Sequence, residues 1–138
     1  RKAPRDWAAI ERSAERMQLH ARDLKQEVGA LSGGNQQKVM LGRWLAAGVD
    51  TLLVEQPTRG VDVGAKAEIY ALLREFVDNG GTVLAVSSDL PELIGLCDRV
   101  LMVRGWAIVG TVPRSTATEQ SLHALVLAHA PSAPAVAG

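Results

Sequence analysis

The alternation of two short apolar runs with one long helical pattern constrains the fold of this chain most strongly. Residues 51–54 (TLLV) and 82–86 (TVLAV) contain no charged residue, which is typical of strands buried on both faces. Between them, apolar residues at helical spacing predict a helix over Val63–Asp78, and Asn79-Gly80-Gly81 predicts its end. Strand–helix–strand order with such strands predicts a parallel sheet covered by helices, so we assign the chain to the α/β class.

Two helical patterns precede the first apolar run. Apolar residues at helical spacing over Asp6–Leu24 predict an amphipathic, half-exposed helix or a pair of helices. After the flexible Ser32-Gly33-Gly34 turn, a second helix is predicted from about Asn35 to Ala47. Its buried side is expected to carry Met40, Leu41, Trp44 and Leu45.

The segment after the second apolar run is expected to hold four elements and a tail. These are a helix over Leu90–Leu96, strands over Arg99–Val103 and Trp106–Val112 joined by a tight turn at Arg104-Gly105, a helix over Ser115–His129, and a disordered Ala/Pro tail over Pro131–Gly138. We therefore expect three parts: a helical part (1–48), an α/β core part (49–112) and a C-terminal helix with its tail (113–138).

Composition and charge exclude several classes of protein. Apolar residues make up 47% and charged residues 22%, which excludes a disordered chain, and no apolar run approaches the roughly 18–20 residues of a membrane span. Cys97 is the sole cysteine, so we expect no disulfides and a reducing, cytoplasmic setting. The net charge of zero is the sum of a basic and an acidic segment. Residues 1–48 carry nine Lys/Arg against five Asp/Glu, and residues 49–138 carry six Lys/Arg against ten Asp/Glu.

The stretch LSGGNQQK at residues 31–38 carries the most chemical information. A serine followed by two glycines at a helix start lets an anion approach the backbone N–H groups closely, and the helix dipole and the Ser32 hydroxyl add to this attraction. The alternative is that Ser32 merely caps the helix. On these residues alone, both interpretations stand.

Further motifs follow in a fixed order: EQPTRGVD at residues 55–62 after the first strand, VSSDLPEL at residues 86–93 around the end of the second, and Asp98-Arg99-Val100 at the start of the third. In this order and at these separations the chain resembles the C-terminal half of an ABC-type ATPase cassette, over roughly residues 20–112. The motifs LSGGNQQK and PTRGVDVGAK resemble those of sugar importers of the ribose, galactose and xylose type.

This resemblance implies a fold, cofactors and partners. It implies part of a P-loop NTPase cassette, with ATP and Mg²⁺ as cofactors. The implied partners are a second cassette arranged head to tail, transmembrane permease subunits and, indirectly, a sugar-binding protein. The implied location is peripheral, on the cytoplasmic face of the inner membrane.

The resemblance also implies roles for individual residues. It assigns four residues to the signature motif, which contacts the γ-phosphate of ATP held by the opposite cassette: Ser32, Gly33, Gly34 and Asn35. Gln36, also expected at the nucleotide site, and Gln37 continue the motif. Asp62 matches the aspartate of the D-loop, which passes between the two cassettes. Asp62 can at the same time cap the helix that begins at Val63.

Three features depart from an active cassette. No G-x-x-x-x-G-K-[S/T] phosphate loop occurs in the sequence, and we expect it to lie upstream of Arg1. Gln56 stands at the general-base position, where a neutral amide cannot accept a proton near pH 7. Ser88 stands where most cassettes have a histidine that contacts the γ-phosphate. The chain's own catalytic site is therefore expected to be degenerate, and its activity as an isolated enzyme stays open.

Glu55 occupies the Mg²⁺ position when the motifs are aligned on Pro57-Thr58. A rival alignment makes Glu55 the base and Val54 the metal position, and an exchange of glutamate for glutamine that traps ATP is a further interpretation of Gln56.

The sequence also leaves other functions open for the chain as a whole. One alternative is a truncated, non-enzymatic cassette that acts as an interaction or regulatory module. A cassette for DNA repair or translation is disfavoured, because the motifs resemble those of sugar importers. The few aromatic residues and the neutral total charge also argue against nucleic acid binding. The histidines share no metal-ligand spacing, so no metal role is expected for them.

Overall fold

A computed structural model of the protein describes residues 7–20 and 23–128. The chain divides into two units, Arg1–Val86 and Ser87–Gly138. The three-part division at residues 48 and 112 stays a prediction. The predicted tail over Pro131–Gly138 and the predicted helix ends at Asp6 and His129 lie outside the described residues.

The first unit combines helices with a two-stranded parallel sheet. Its elements are α1 (Trp7–Arg16), a 3₁₀ turn (Val28–Ala30), α2 (Gly33–Ala46), β1 (Thr51–Glu55), α3 (Val63–Asp78) and β2 (Thr82–Val86). β1 and β2 pair in parallel, with Thr51 opposite Thr82 and Glu55 opposite Val86. The predicted strand–helix–strand unit and its parallel pairing are confirmed, and α3 has the predicted bounds.

α1 ends well before Leu24, where the predicted helical pattern stops. The N–H of Leu19 donates to the carbonyl of Ala14 at 2.9 Å, and Gln18 between them has a φ of 49°. A residue in the left-handed region with such a backward hydrogen bond is a common end of a helix. α1 therefore ends at Arg16, and the 3₁₀ turn at Val28–Ala30 precedes α2.

The buried side of α2 is more polar than predicted. Leu41 is buried as expected, but Met40 is exposed and the Trp44 side chain is 55% exposed. The buried positions before Leu41 are Gly34, Asn35 and Lys38, and the last two precede Leu41 at a spacing of three residues. Hydrophobic periodicity cannot predict this arrangement, because polar side chains are buried only where partners satisfy them.

The sheet of the first unit is buried on one face only. Leu52 and Val54 are buried, whereas Leu53 is 72% exposed and Leu84 and Val86 are also exposed. Successive side chains of a strand point to opposite faces, and α3 packs against β2. The prediction of strands buried on both faces is wrong for the described structure, because an apolar sequence does not itself supply a second covering layer.

The second unit is an antiparallel hairpin packed with two helices. Its elements are α4 (Leu90–Leu96), β3 (Arg99–Arg104), β4 (Ala107–Pro113), a 3₁₀ turn (Arg114–Thr116) and α5 (Glu119–Ala128). Gly105 and Trp106, with φ of 54° and 65°, form the tight turn that was predicted one residue earlier. Because the 3₁₀ turn occupies residues 114–116, α5 starts four residues later than expected. The core contains Leu93, Val100, Val112, Ala117 and Leu122.

Candidate functional site

The N-termini of α2 and α3 lie side by side in the first unit. A Cβ at Gly34 would come closer than 3.0 Å to the Cβ of Ala65, and a Cβ at Gly33 would lie 3.3 Å from the carbonyl oxygen of Gly60. Glycine at these positions therefore permits a close approach of the two helices. This approach brings the Ser32–Gln36 segment next to the loop that contains Asp62.

A cleft of about 250 Å³ opens between these two helix starts. Ser32, Asn35 and Lys38 line it on the α2 side, and Asp62, Ala65 and Glu68 line it on the α3 side. The first N–H groups of a helix have no acceptor within the helix, and the helix dipole places partial positive charge there. The α2 side of the cleft is therefore chemically suited to a phosphate group.

Ser32 occupies the N-cap position of α2 without capping it. Its backbone is extended, with φ −61° and ψ 156°, yet its side chain makes no capping hydrogen bond. Its Oγ instead accepts a hydrogen bond from Asn35 Nδ2 at 2.9 Å. The interpretation of Ser32 as merely a helix cap is therefore wrong.

Asp62 caps α3, as predicted. The N–H of Ala65 donates to Asp62 Oδ1 at 2.9 Å. This hydrogen bond is the main cause of a lowered pKa of Asp62, and the nearby positive charge of Lys38 lowers that pKa further. Asp62 is therefore a carboxylate at neutral pH, and its negative charge faces the cleft.

Gln36 lies outside the cleft. Its Nε2 donates to the carbonyl of Leu31 at 2.8 Å and, at 3.4 Å, to that of Gly29. The amide thus fastens the segment that precedes α2 to the first turn of the helix. The structure gives Gln36 a role in holding the loop.

A buried ion pair beside the cleft was missed by the sequence analysis. The Lys38 side chain is 1% exposed, and its Nζ lies 2.6 Å from Glu68 Oε2. Lys38 Nζ also donates to the carbonyl of Gln18 at 2.5 Å. A buried charge requires such partners. The available signal was the spacing of Asn35, Lys38 and Leu41, which places a lysine on the side that carries a core leucine.

Glu55 and Gln56 stand at the carboxyl end of β1. The N–H of Gln56 donates to the carbonyl of Val86 at 2.7 Å, and its own carbonyl accepts from the N–H of Arg59 at 3.0 Å. These bonds hold Gln56 at a φ of 47°, a left-handed conformation that costs a non-glycine residue roughly 1–2 kcal/mol. The carboxyl ends of parallel strands are where ligands bind in open α/β sheets.

Glu55 fits Mg²⁺ as one ligand among several. Within the described part of the chain, no group of three or more His, Cys, Asp and Glu side chains could hold a metal ion. Mg²⁺ commonly keeps several waters and takes one or two carboxylates together with phosphate oxygens. The exposed carboxylate of Glu55 is compatible with that arrangement when a nucleotide supplies the remaining oxygens.

Ser88 belongs to the second unit, at the start of the segment that leads into α4. Its neighbour Ser87 donates its hydroxyl to the buried carboxylate of Glu92 and accepts from the N–H of Asp89 at 3.1 Å. Asp89 in turn caps α4 by accepting from the N–H of Glu92 at 3.0 Å. This network fixes the backbone on both sides of Ser88, which is itself exposed.

A second cleft, of about 330 Å³, lies between α1 and the C-terminal halves of α2 and α3. It is lined by Met17, Leu72 and Phe76 and by the ion-paired side chains of Arg16 and Glu75. None of the site residues predicted from the sequence lines this cleft. Of the predicted site residues, Ser32, Asn35 and Asp62 line the smaller cleft, whereas Glu55, Gln56 and Ser88 line neither cleft.

Comparison with known proteins identifies the family. No family model matches the chain. The ribose import ATP-binding protein RbsA of Corynebacterium glutamicum is 48% identical over 114 residues, which are 83% of this chain and 22% of that protein. The arabinose import ATP-binding protein AraG of Azospirillum brasilense is 48% identical over 123 residues, 89% of this chain and 24% of that protein. The chain belongs to the ABC ATP-binding cassettes. The predicted resemblance to sugar importers is confirmed.

Solved ABC cassettes share the fold. The dimeric cassette MJ0796 bound to ADP and phosphate matches with a TM-score of 0.68 at 24% identity, over 83% of this chain and 50% of that one. The cassette MJ1267 matches with a TM-score of 0.73 at 19% identity, over 91% and 53%. This ABC chain spans about half the length of these cassettes and about a quarter of the length of the curated relatives.

A membrane-spanning helix needs about 20 predominantly apolar residues. Within residues 7–20 and 23–128, no helix is both long and apolar enough to cross a bilayer.

Proposed function

We propose that this chain is a segment of the ATP-binding cassette of a carbohydrate importer, which presents its signature motif to ATP bound on a second, head-to-tail cassette. The contact with the γ-phosphate is made by the Ser32 hydroxyl and by the first N–H groups of α2, at Gly33 and Gly34. The supporting observation is that Ser32 stands at a helix N-terminus, faces a cleft and does not cap its own helix.

The chain's own hydrolytic site is degenerate in this proposal. Glu55 provides the carboxylate for Mg²⁺, together with the phosphate oxygens of ATP. Gln56 can orient a water through its amide but cannot remove its proton near pH 7. Ser88 offers a short hydroxyl in place of an imidazole. Hydrolysis is therefore expected mainly at the site that the signature motif of this chain completes.

The partners and location belong to the same proposal. The chain works with a second cassette, with transmembrane permease subunits and, through these, with a sugar-binding protein. It acts peripherally on the cytoplasmic face of the inner membrane. The names of the ribose and arabinose import relatives support a carbohydrate as the transported substrate.

The substitution Ser32→Arg tests the signature assignment. The guanidinium would fill the cleft and remove the hydroxyl donor, so ATP turnover of the assembled importer should fall about 100-fold, the scale of losing one donor to a developing anion. The matched control is Ser115→Arg, an exposed serine of the second unit, which should leave turnover unchanged. Unchanged turnover in Ser32→Arg, with the fold verified by circular dichroism, would show that the assignment is wrong.

The substitution Gln56→Glu tests the degenerate site. With the site on the partner cassette silenced, restoring a carboxylate base should raise residual ATP hydrolysis by about 100-fold, the scale of general-base catalysis. Gln120→Glu, the same exchange on the exposed surface of α5, is the control. No rise in hydrolysis would contradict the placement of Gln56 at the base position and would favour the rival alignment, in which Glu55 is the base.

A further inference from the structure

The side chain of Asn35 is buried and uses its whole hydrogen-bonding capacity as a donor inside the protein. Its Nδ2 donates to the carbonyl of His20 at 3.2 Å and to Ser32 Oγ at 2.9 Å. Its Oδ1 accepts from the N–H of His20 at 3.1 Å. An amide group has two hydrogens, and both are engaged here. Asn35 therefore has no hydrogen left to donate to a nucleotide.

The hydrogen bond from Asn35 Nδ2 restricts the orientation of the Ser32 hydroxyl. A hydroxyl carries one hydrogen and two lone pairs, and the Asn35 amide occupies one lone pair of Ser32 Oγ. The Ser32 hydrogen must then point away from that amide, and Ser32 Oγ accepts no capping hydrogen bond from α2. Accepting one hydrogen bond also strengthens the hydroxyl as a donor, since linked hydrogen bonds polarise one another.

Asn35 also fastens the loop after α1 to α2. Its side chain forms hydrogen bonds with both the N–H and the carbonyl of His20. Lys38, one turn further along α2, donates to the carbonyl of Gln18. His20 and Ser32 line the same cleft. Two residues on the buried side of α2 thus hold one wall of the cleft in place before any ligand arrives.

We propose that Asn35 is a positioning residue, which directs the hydroxyl hydrogen of Ser32 toward the nucleotide phosphate and does not itself contact the nucleotide. The inference rests on the function proposed for Ser32 and deepens it. It replaces the direct nucleotide contact that the family resemblance implied for Asn35.

The exchange Asn35→Asp tests the positioning role, because it removes the amide donor of residue 35 without a change in side-chain size. Aspartate has nearly the same shape, but its carboxylate cannot donate to Ser32 Oγ or to the carbonyl of His20. The carboxylate would instead accept the Ser32 hydrogen and turn it away from the phosphate. Because the misdirected hydroxyl no longer donates to the charged phosphate, kcat/KM for MgATP should fall about 10- to 100-fold in the assembled importer.

A double-mutant cycle with Ser32→Ala provides the decisive readout. If Asn35 acts through Ser32, Asn35→Asp should change kcat/KM less than about twofold in the Ser32→Ala background, because residues that act as a unit are non-additive. The matched control is Asn79→Asp, since Asn79 also donates its amide to a backbone carbonyl, that of Glu75. Asn79→Asp should leave kcat/KM unchanged.

The outcomes separate the inference from the proposed function. If Ser32→Ala leaves turnover unchanged, the proposed function fails. If Ser32→Ala lowers turnover and Asn35→Asp lowers it again by its full factor in the double variant, the proposed function stands and the positioning role is overturned. A measurement on the unaltered chain covers the case in which the variants do not fold. The side-chain amide hydrogens of Asn35 should exchange slowly with solvent by NMR, and fast exchange would refute the inference.

Discussion

Replacing Gly34 with alanine tests the contact on which the site depends. Gly34 is the second residue of α2, and its backbone is helical, so alanine suits the conformation. An added Cβ would lie closer than 3.0 Å to the Cβ of Ala65 in α3, whereas carbon atoms pack favourably at about 3.5–4.0 Å. The atom that must yield is attached directly to the backbone of a neighbouring helix. The two helices therefore have to separate.

Two opposing effects set the expected magnitude for Gly34→Ala. Overpacking of this kind costs about 1–3 kcal/mol. Alanine regains up to about 1 kcal/mol over glycine as a helix former. At the middle of both ranges, the net expectation is a loss of about 1–2 kcal/mol in the free energy of unfolding. For a unit of this size such a loss lowers the melting temperature by about 4–16 °C.

Urea denaturation followed by circular dichroism measures this loss in the full chain. Gly29→Ala is the control in the same unit, because a Cβ there meets nothing within 4 Å, and it should stabilise the unit by about 0.4–1 kcal/mol. In the double variant Gly34→Ala/Ala65→Gly, removal of the opposing Cβ should recover most of the packing loss. The reasoning is refuted if Gly34→Ala stabilises like Gly29→Ala, or if the two substitutions at the contact are additive.

Two further predictions concern the charged groups of the cleft. Glu68→Ala should destabilise the first unit by roughly 3 kcal/mol, because it leaves the buried Lys38 ammonium without its carboxylate. Lys38→Met removes the ammonium itself and should cost less. Equal losses of unfolding free energy in urea denaturation would contradict this. For Asp62, the folded-state pKa lies below the unfolded value of about 3.9. The unaltered protein should therefore be more stable than the Asp62→Asn variant near neutral pH, and this difference should disappear as the pH falls through the folded-state pKa. Thermal melts of both proteins across that range measure the difference, and a difference that does not change with pH would count against the hydrogen-bonded carboxylate.

Local patterns were sufficient for the elements of the α/β unit. The helix Val63–Asp78 and the strand Thr82–Val86 were predicted at their observed bounds, since a regular apolar period and a glycine stop signal depend on neighbouring residues only. The capping role of Asp62 was predictable for the same reason. Trp44 was placed on the wrong side of α2, because burial depends on what packs against the helix.

The order of the motifs determined the family. LSGGNQQK lies at residues 31–38 and PTRGVDVGAK at residues 57–66, in the order on which the resemblance to ABC cassettes rests. Curated relatives at 48% identity confirm this identification. The roles of Glu55, Gln56 and Ser88 stay predictions that the proposed experiments address.

The sequence by itself determined the order of the helices and strands, the parallel pairing and the family, because these follow from the order and spacing of residues along one chain. Only the tertiary structure placed Asn35 between Ser32 and the backbone of His20, and Lys38 between Glu68 and the carbonyl of Gln18. Hydrogen bonds and ion pairs act over about 3 Å, and three of these contacts join residues 15 to 30 positions apart: His20–Asn35, Gln18–Lys38 and Lys38–Glu68. Which polar groups meet is therefore decided when the helices pack, and the Gly34–Ala65 contact sets how closely α2 and α3 can do so.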